Sequence, residues 1–234
     1  LKAFSIPSFM LFSVPAACYF VSNSCMFFIV QDLGLNQFQI LSTIKIFFTA
    51  YLMRVFLGRT LNKMQIFSLL ILAAGIVLTQ LQSGLSGLTH ARARGYLLVI
   101  LSCVSSSVGG VYSEKLLKCC ADGGNIHYKN IQLYTWGFAF GISSWTLTNP
   151  LTTLPTFFSG YNVIVCAMVL VLSLSGISVS YLLKYTDSLV KSMVTALAIA
   201  VTACIQIFRG IDEFSFSLIS GILLISQALR LYSS

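Results

Sequence analysis

Val163-Ile164-Val165-Cys166-Ala167-Met168-Val169-Leu170-Val171-Leu172-Ser173-Leu174 carries no charge and no alternation of polar with apolar side chains. A strand in a membrane barrel shows lipid to one face and lumen to the other, so its sequence alternates. A continuous apolar run is the mark of a helix in hydrocarbon, where the backbone must satisfy its own hydrogen bonds. Ile66–Leu81 reads the same way. Working outward from these two runs, eight segments are long and apolar enough to cross a bilayer: 9–30, 38–57, 64–82, 95–113, 131–149, 161–182, 190–208 and 214–232. The fold class expected is all-α, a polytopic membrane protein. Residues 1–234 form a single transmembrane domain in this reading, incomplete at its N-terminus.

Composition agrees. Hydrophobic residues make up 57% of the chain and charged residues 9%, against roughly a quarter charged in soluble domains. Mean hydropathy is +0.89. The net charge of +8 would suggest nucleic acid in a soluble protein. Here it reads as basic loops on one membrane face, and no nucleic-acid partner is expected. Lys2, Arg54, Arg59, Lys63, Lys115, Lys118, Lys129, Lys184, Lys191 and Arg230 fall on one side, and only Arg92, Arg94 and Arg209 on the other. That asymmetry puts the C-terminus and the even-numbered connections in the cytosol. The connections are short, with Gly58-Arg59, Ser83-Gly84, Asp122-Gly123-Gly124 and Asn149-Pro150 as turn signals. They leave no room for an extramembrane catalytic domain.

No catalytic Ser/His/Asp set, metal-ligand cluster or paired intramembrane carboxylates stand out, so no enzyme, metal or cofactor is expected. The cysteines read as small apolar packing residues, and Cys119-Cys120 as a weak candidate for palmitoylation. Gly137-x-x-x-Gly141 and the Ser105–Gly110 and Leu172–Ser180 segments read as helix-contact faces, with a polar cavity as the lesser alternative.

The charged residues within or beside spans need explaining. Lys45 sits a third of the way into its span, and pairing within the bundle stands level with a functional role. Glu114 and Lys118 share a helix face at i,i+4, with Tyr112 deeper. A cation at a mouth and an aromatic further in suit a ligand with phosphate at one end and a flat ring at the other. An ordinary charged helix end is the plainer alternative. Asp187 and Lys191 repeat the four-residue spacing, with Asp187 placed to cap the next helix and Thr195 a turn further in. Paired polar sites in two halves of a bundle are what an internally repeated transporter provides.

These residues resemble the nucleotide-sugar transporters of the drug/metabolite transporter superfamily, in the CMP-sialic acid and UDP-galactose branch. The resemblance runs along nearly the whole chain. It rests on Val14-Pro15 followed by Asn23; Phe38-Gln39-Ile40 with Ile44-Lys45-Ile46; Gly110-Val111-Tyr112-Ser113-Glu114-Lys115-Leu116-Leu117-Lys118; Asn130-Ile131-Gln132-Leu133; and Lys184-Tyr185-Thr186-Asp187 with Lys191. It implies helices three to ten of a ten-helix inverted repeat, with both termini of the full protein cytosolic. It implies antiport of a pyrimidine nucleotide sugar against a nucleoside monophosphate across a Golgi or ER membrane. In the implied site Asn23 and Tyr112 contact the nucleoside, Lys118 and Lys191 neutralise phosphate, and Ser180 and Thr195 line the cavity. Lys45, Glu114 and Asp187 are structural or ion-pair residues. Ser42-Thr43, Ser24 and Ser178 stand where family members carry Tyr-Gln, asparagine and an aromatic. A carrier of another small metabolite, and a non-transporting membrane scaffold, remain alternatives; homodimerisation is left open.

Overall fold

The computed structural model describes residues 6–84, 93–119, 126–148, 161–209 and 216–233. The Asp122-Gly123-Gly124 and Asn149-Pro150 turns, and Lys2, Arg92 and Cys120, lie outside them. Among the described residues the ten elements are all helices: α1 (Ile6–Leu11), α2 (Ser13–Leu33), α3 (Leu35–Ser42), α4 (Lys45–Leu57), α5 (Lys63–Gly84), α6 (Ala93–Cys119), α7 (Ile126–Thr148), α8 (Val163–Tyr185), α9 (Ser188–Phe208) and α10 (Phe216–Ser233). Each expected span is met by a helix or a helix pair. Four stretches, Phe9–Leu33, Gln37–Leu57, Ala93–Lys118 and Val163–Tyr185, are long and apolar enough to cross a membrane, and Lys63–Thr79, Ser188–Thr202 and Phe216–Tyr232 are shorter apolar helices. α8 carries its apolar side chains outward, with Leu170, Val171, Leu172 and Leu174 each 65% exposed. Such a surface is stable against lipid and not against water.

Two spans are interrupted, each for a local reason. Pro15 has no N–H to give to Leu11, and the chain turns at Phe12 between α1 and α2. The second span, expected as one helix over 38–57, tightens at Thr43-Ile44. There the amides of Thr43 and Ile44 donate to Ile40 and Leu41, three residues back. The cause is competition for one carbonyl. Ser42 Oγ and Thr43 Oγ1 both donate to the Gln39 oxygen, at 2.9 and 3.3 Å, where the Thr43 amide would otherwise bond. A mid-helix turn of this kind places Lys45 at the start of a new segment.

The main core joins α4, α5, α6, α9 and α10 through Ile46, Met53, Leu72, Val111, Leu189, Met193 and Ile225. A second cluster, Cys25, Ile29, Leu33, Val99 and Cys103, packs α2 on α6. α5 and α10 approach each other closely. A Cβ on Gly221 would meet the Gly75 oxygen and the Thr79 nitrogen at 2.8 Å, and one on Gly75 would meet the Gly221 oxygen at 3.0 Å. Gly137 and Gly141 do not play that part, since nothing lies within 4 Å of a Cβ built on either. The packing expected of that GxxxG is therefore found at Gly75 and Gly221.

Gly221→Ala is expected to lower stability by about 1–3 kcal/mol, because the new methyl meets backbone. Gly141→Ala is expected to gain up to about 1 kcal/mol from helix propensity. Thermal unfolding of the two variants in the same detergent checks the contrast.

Candidate functional site: a cationic cavity and a charged clasp

Two cavities meet at one residue. The larger, about 370 Å³, is walled by aromatic and apolar side chains including Phe12, Tyr19, Phe20, Leu133 and Tyr134, with Asn23, Ser113, Asn130 and Ser180 as polar points and Lys191 at its edge. The smaller, about 70 Å³, is walled by Lys45, Lys191, Gln39 and a set of hydroxyls that includes Ser42, Thr43, Ser107 and Thr195. Lys191 lines both.

The local structure explains why these side chains face inward. Tyr19 and Asn23 are four apart on α2, and Lys191 and Thr195 four apart on α9, so each pair shares a helix face. The Lys191 ammonium stands 5.3 Å from the centre of the Tyr19 ring, a cation–π contact. Gly176 of α8 makes room for Tyr134, whose hydroxyl oxygen would lie 2.7 Å from any Cβ there. Gly137, which packs against no neighbouring helix, borders this space.

Lys45 and Lys191 are the electrostatic centre. Their charges act on each other, and among the described residues neither forms an ion pair. The ion pair that the sequence weighed evenly against a functional role for Lys45 is not found among the described residues. Two unpaired cations facing one space in a low-dielectric bundle make a strong attraction for an anion.

Lys118 is elsewhere. Its ammonium bonds Glu114 Oε1 at 2.7 Å and Asp187 Oδ1 at 2.9 Å. Arg59, from the α4–α5 connection, pairs with the other Asp187 oxygen. Glu114 is fully buried, and its second oxygen accepts from the Ser188 amide and hydroxyl at 2.7 and 2.6 Å. Glu114, and not Asp187, thus receives the first amide of α9. The clasp joins the α4–α5 connection, the end of α6 and the turn between α8 and α9. The sequence put all three on the cytosolic side, and the structure brings them to one end. Arg94 and Asp32, 3.9 Å apart, come from connections assigned to the other side.

Of the sequence-derived site residues, Asn23, Ser180 and Lys191 line the larger cavity and Thr195 the smaller. Lys118 and Tyr112 line neither, because α6 turns Lys118 into the clasp; Glu114 and Asp187 are its ion-pair partners. Ser24 and Ser178 line neither, while Ser42 and Thr43 do. Tyr19, Asn130, Ser113 and Tyr134 were missed. The signal for Tyr19 was its four-residue spacing from Asn23, and Asn130 lay within a quoted motif.

Apolar membrane helices around two cavities that share a lysine are the architecture expected of a small-molecule carrier. A nucleotide-sugar transporter family profile matches residues 5–233. The chain is 31% identical over 235 residues to CMP-sialic acid transporter 1 of Arabidopsis thaliana, covering 96% of this chain and 68% of that protein. It is 32% identical over 228 residues to the UDP-galactose translocator of Bos taurus, covering 94% of this chain and 57% of that protein. The chain belongs to the nucleotide-sugar transporter family, a family of transporters and not of enzymes.

Burial alone would raise the Asp187 pKa, but the hydrogen bonds and charges of Lys118 and Arg59 outweigh it and hold the carboxyl below its ordinary value. A depressed carboxyl stabilises the fold above its unfolded value of about 3.9, and that contribution is lost as pH falls through the folded value. Wild type is expected to exceed Asp187→Asn in thermal midpoint by a constant margin from pH 8 to 5. The margin should close toward pH 3 in the same unfolding assay.

Proposed function

We propose that the protein exchanges a pyrimidine nucleotide sugar for a nucleoside monophosphate across a Golgi or ER membrane. The observation that carries this reading is Lys191, placed where an aromatic-walled cavity meets a hydroxyl-walled one, with Lys45 unpaired beside it. An aromatic wall with a few amide and hydroxyl points suits a nucleoside: rings pack on Tyr19 and Tyr134, and Asn23 and Asn130 bond base or ribose edges. Two ammonium groups suit the phosphate that follows. The phosphate role given to Lys118 from the sequence passes to Lys45, while Lys191 keeps its own.

No bond is broken in this function. Transport needs the site to open to each side in turn, by rocking of one part of the bundle against another. The Arg59–Asp187–Lys118–Glu114 clasp closes one end, and opening that end breaks it. The relatives' printed substrates, CMP-sialic acid and UDP-galactose, are both pyrimidine nucleotide sugars and support the choice of class.

Lys45→Ala and Lys191→Ala are each expected to weaken nucleotide binding about 10- to 100-fold, the effect of one lost charged hydrogen bond. Both should abolish exchange in proteoliposomes. Lys118→Ala should keep nucleotide binding near wild type while altering exchange through the clasp. Wild-type nucleotide affinity in both Lys45→Ala and Lys191→Ala overturns the reading.

A further inference from the structure

The sequence places Lys129 among the basic residues of the cytosolic side, and the structure buries it. Its ammonium donates to the carbonyl oxygens of Leu117 at 3.1 Å and Leu116 at 3.5 Å. Both carbonyls lie in the last turn of α6, where backbone oxygens lack amide partners within the helix and the helix dipole favours a cation. The donor comes from α7, so these bonds tie two helices together. The same stretch of α6 carries Glu114 and Lys118 of the clasp. Around the tie, Leu117, Ile126 and Leu183 pack as one buried cluster.

The tie also reaches the larger cavity. Ile126, Lys129, Asn130 and Leu133 follow the spacing i, i+3, i+4, i+7 and share one face of α7. Asn130 and Leu133 wall the cavity, and so does Leu117, whose carbonyl Lys129 holds. One stretch of α7 therefore touches both the cavity and the helix that carries the clasp. The two attachments of the α6 end differ in their access to water. In the clasp, the Arg59 and Lys118 side chains are 43% and 34% exposed, and water competes for ion pairs of that kind. Parting the Lys129 bonds would strand an ammonium and two carbonyls in a buried place.

We infer that Lys129 is a positioning residue that makes the end of α6 travel with α7. The clasp then parts from α9 and from the α4–α5 connection, while the α6–α7 tie stays closed. The inference rests on the carrier reading above and deepens it, because it names the seam along which the clasp end opens. A shift of α7 at the cavity wall reaches Glu114 and Lys118 through this tie.

The test uses the purified chain, in nanodiscs for binding and in proteoliposomes for exchange, with UMP and CMP as probes. Lys129→Met leaves the two carbonyls without their donor. It is expected to slow exchange about 10- to 100-fold, the scale of one charged hydrogen bond, with nucleotide affinity within about threefold of wild type. Lys129→Arg restores a cationic donor and is expected to recover most of the exchange rate. Amide hydrogen exchange gives a second readout. Nucleotide is expected to change protection at the last turn of α6 in wild type, and that change should vanish in Lys129→Met that still binds. Should Lys129→Met fail to fold, Lys129→Gln is read by the same two measures. Exchange at the wild-type rate in the variant overturns the inference and leaves the carrier reading intact. So does an equal loss of affinity and exchange, which makes Lys129 a residue of the fold alone. So does a change in protection that persists without the Lys129 ammonium. If wild type neither binds nor exchanges UMP or CMP, the carrier reading falls and this inference with it.

Discussion

An ammonium group without a counter-ion is the least comfortable thing a membrane bundle can hold, and among the described residues Lys45 and Lys191 stand in that state. Removing a charge from water costs several kcal/mol even after the surroundings relax. Evolution of a bundle for stability alone would replace Lys45 and Lys191 with apolar residues or give each a carboxylate. The carboxylates nearby, Glu114 and Asp187, are committed to Lys118, Arg59 and Ser188. In the proposed function the pair of lysines receives an anion from outside, and the two cavities that meet at Lys191 hold the rest of it.

The surrounding fold serves this arrangement. α2 supplies Tyr19 and Asn23 to one cavity, and the tightened turn between α3 and α4 brings Lys45 to the other. α9 carries Lys191 and Thr195 on one face, and its first amide is anchored by Glu114 from α6. The clasp at that end holds α6, the α4–α5 connection and the α8–α9 turn in register. α5 and α10, packed closely at Gly75 and Gly221, contribute Leu72, Ile76 and Ile225 to the main core. Positioning and closure thus share residues: Ser188 borders the small cavity and bonds the buried Glu114.

Much of the fold was legible because lipid imposes a rule that sequence obeys directly. Uncharged runs such as Val163–Leu174 are helices, and basic connections gather at one end. The breaks were less legible. Pro15 announces a kink, but the turn at Thr43-Ile44 arises from two hydroxyls sharing one carbonyl, which no periodicity reveals. Asn23, Ser180, Lys191 and Thr195, singled out in the sequence largely through the family resemblance, line the cavities. Lys118 did not, because its fate is decided by Asp187, 69 residues away. Local spacing identified Glu114 as one partner but could not see that the second would draw the ammonium out of the cavity. Lys45 stood evenly between pairing and function in the sequence for the complementary reason: whether a buried lysine is paired depends on what its neighbours' carboxylates are doing.

The most direct measurement is a cryo-electron microscopy structure with a nucleoside diphosphate sugar bound. The account predicts phosphate oxygens within hydrogen-bond reach, about 2.7–3.2 Å, of both Lys45 Nζ and Lys191 Nζ, with the base against Tyr19 and Tyr134. Phosphate seated on Lys118, with Lys45 and Lys191 away from it, would contradict the account.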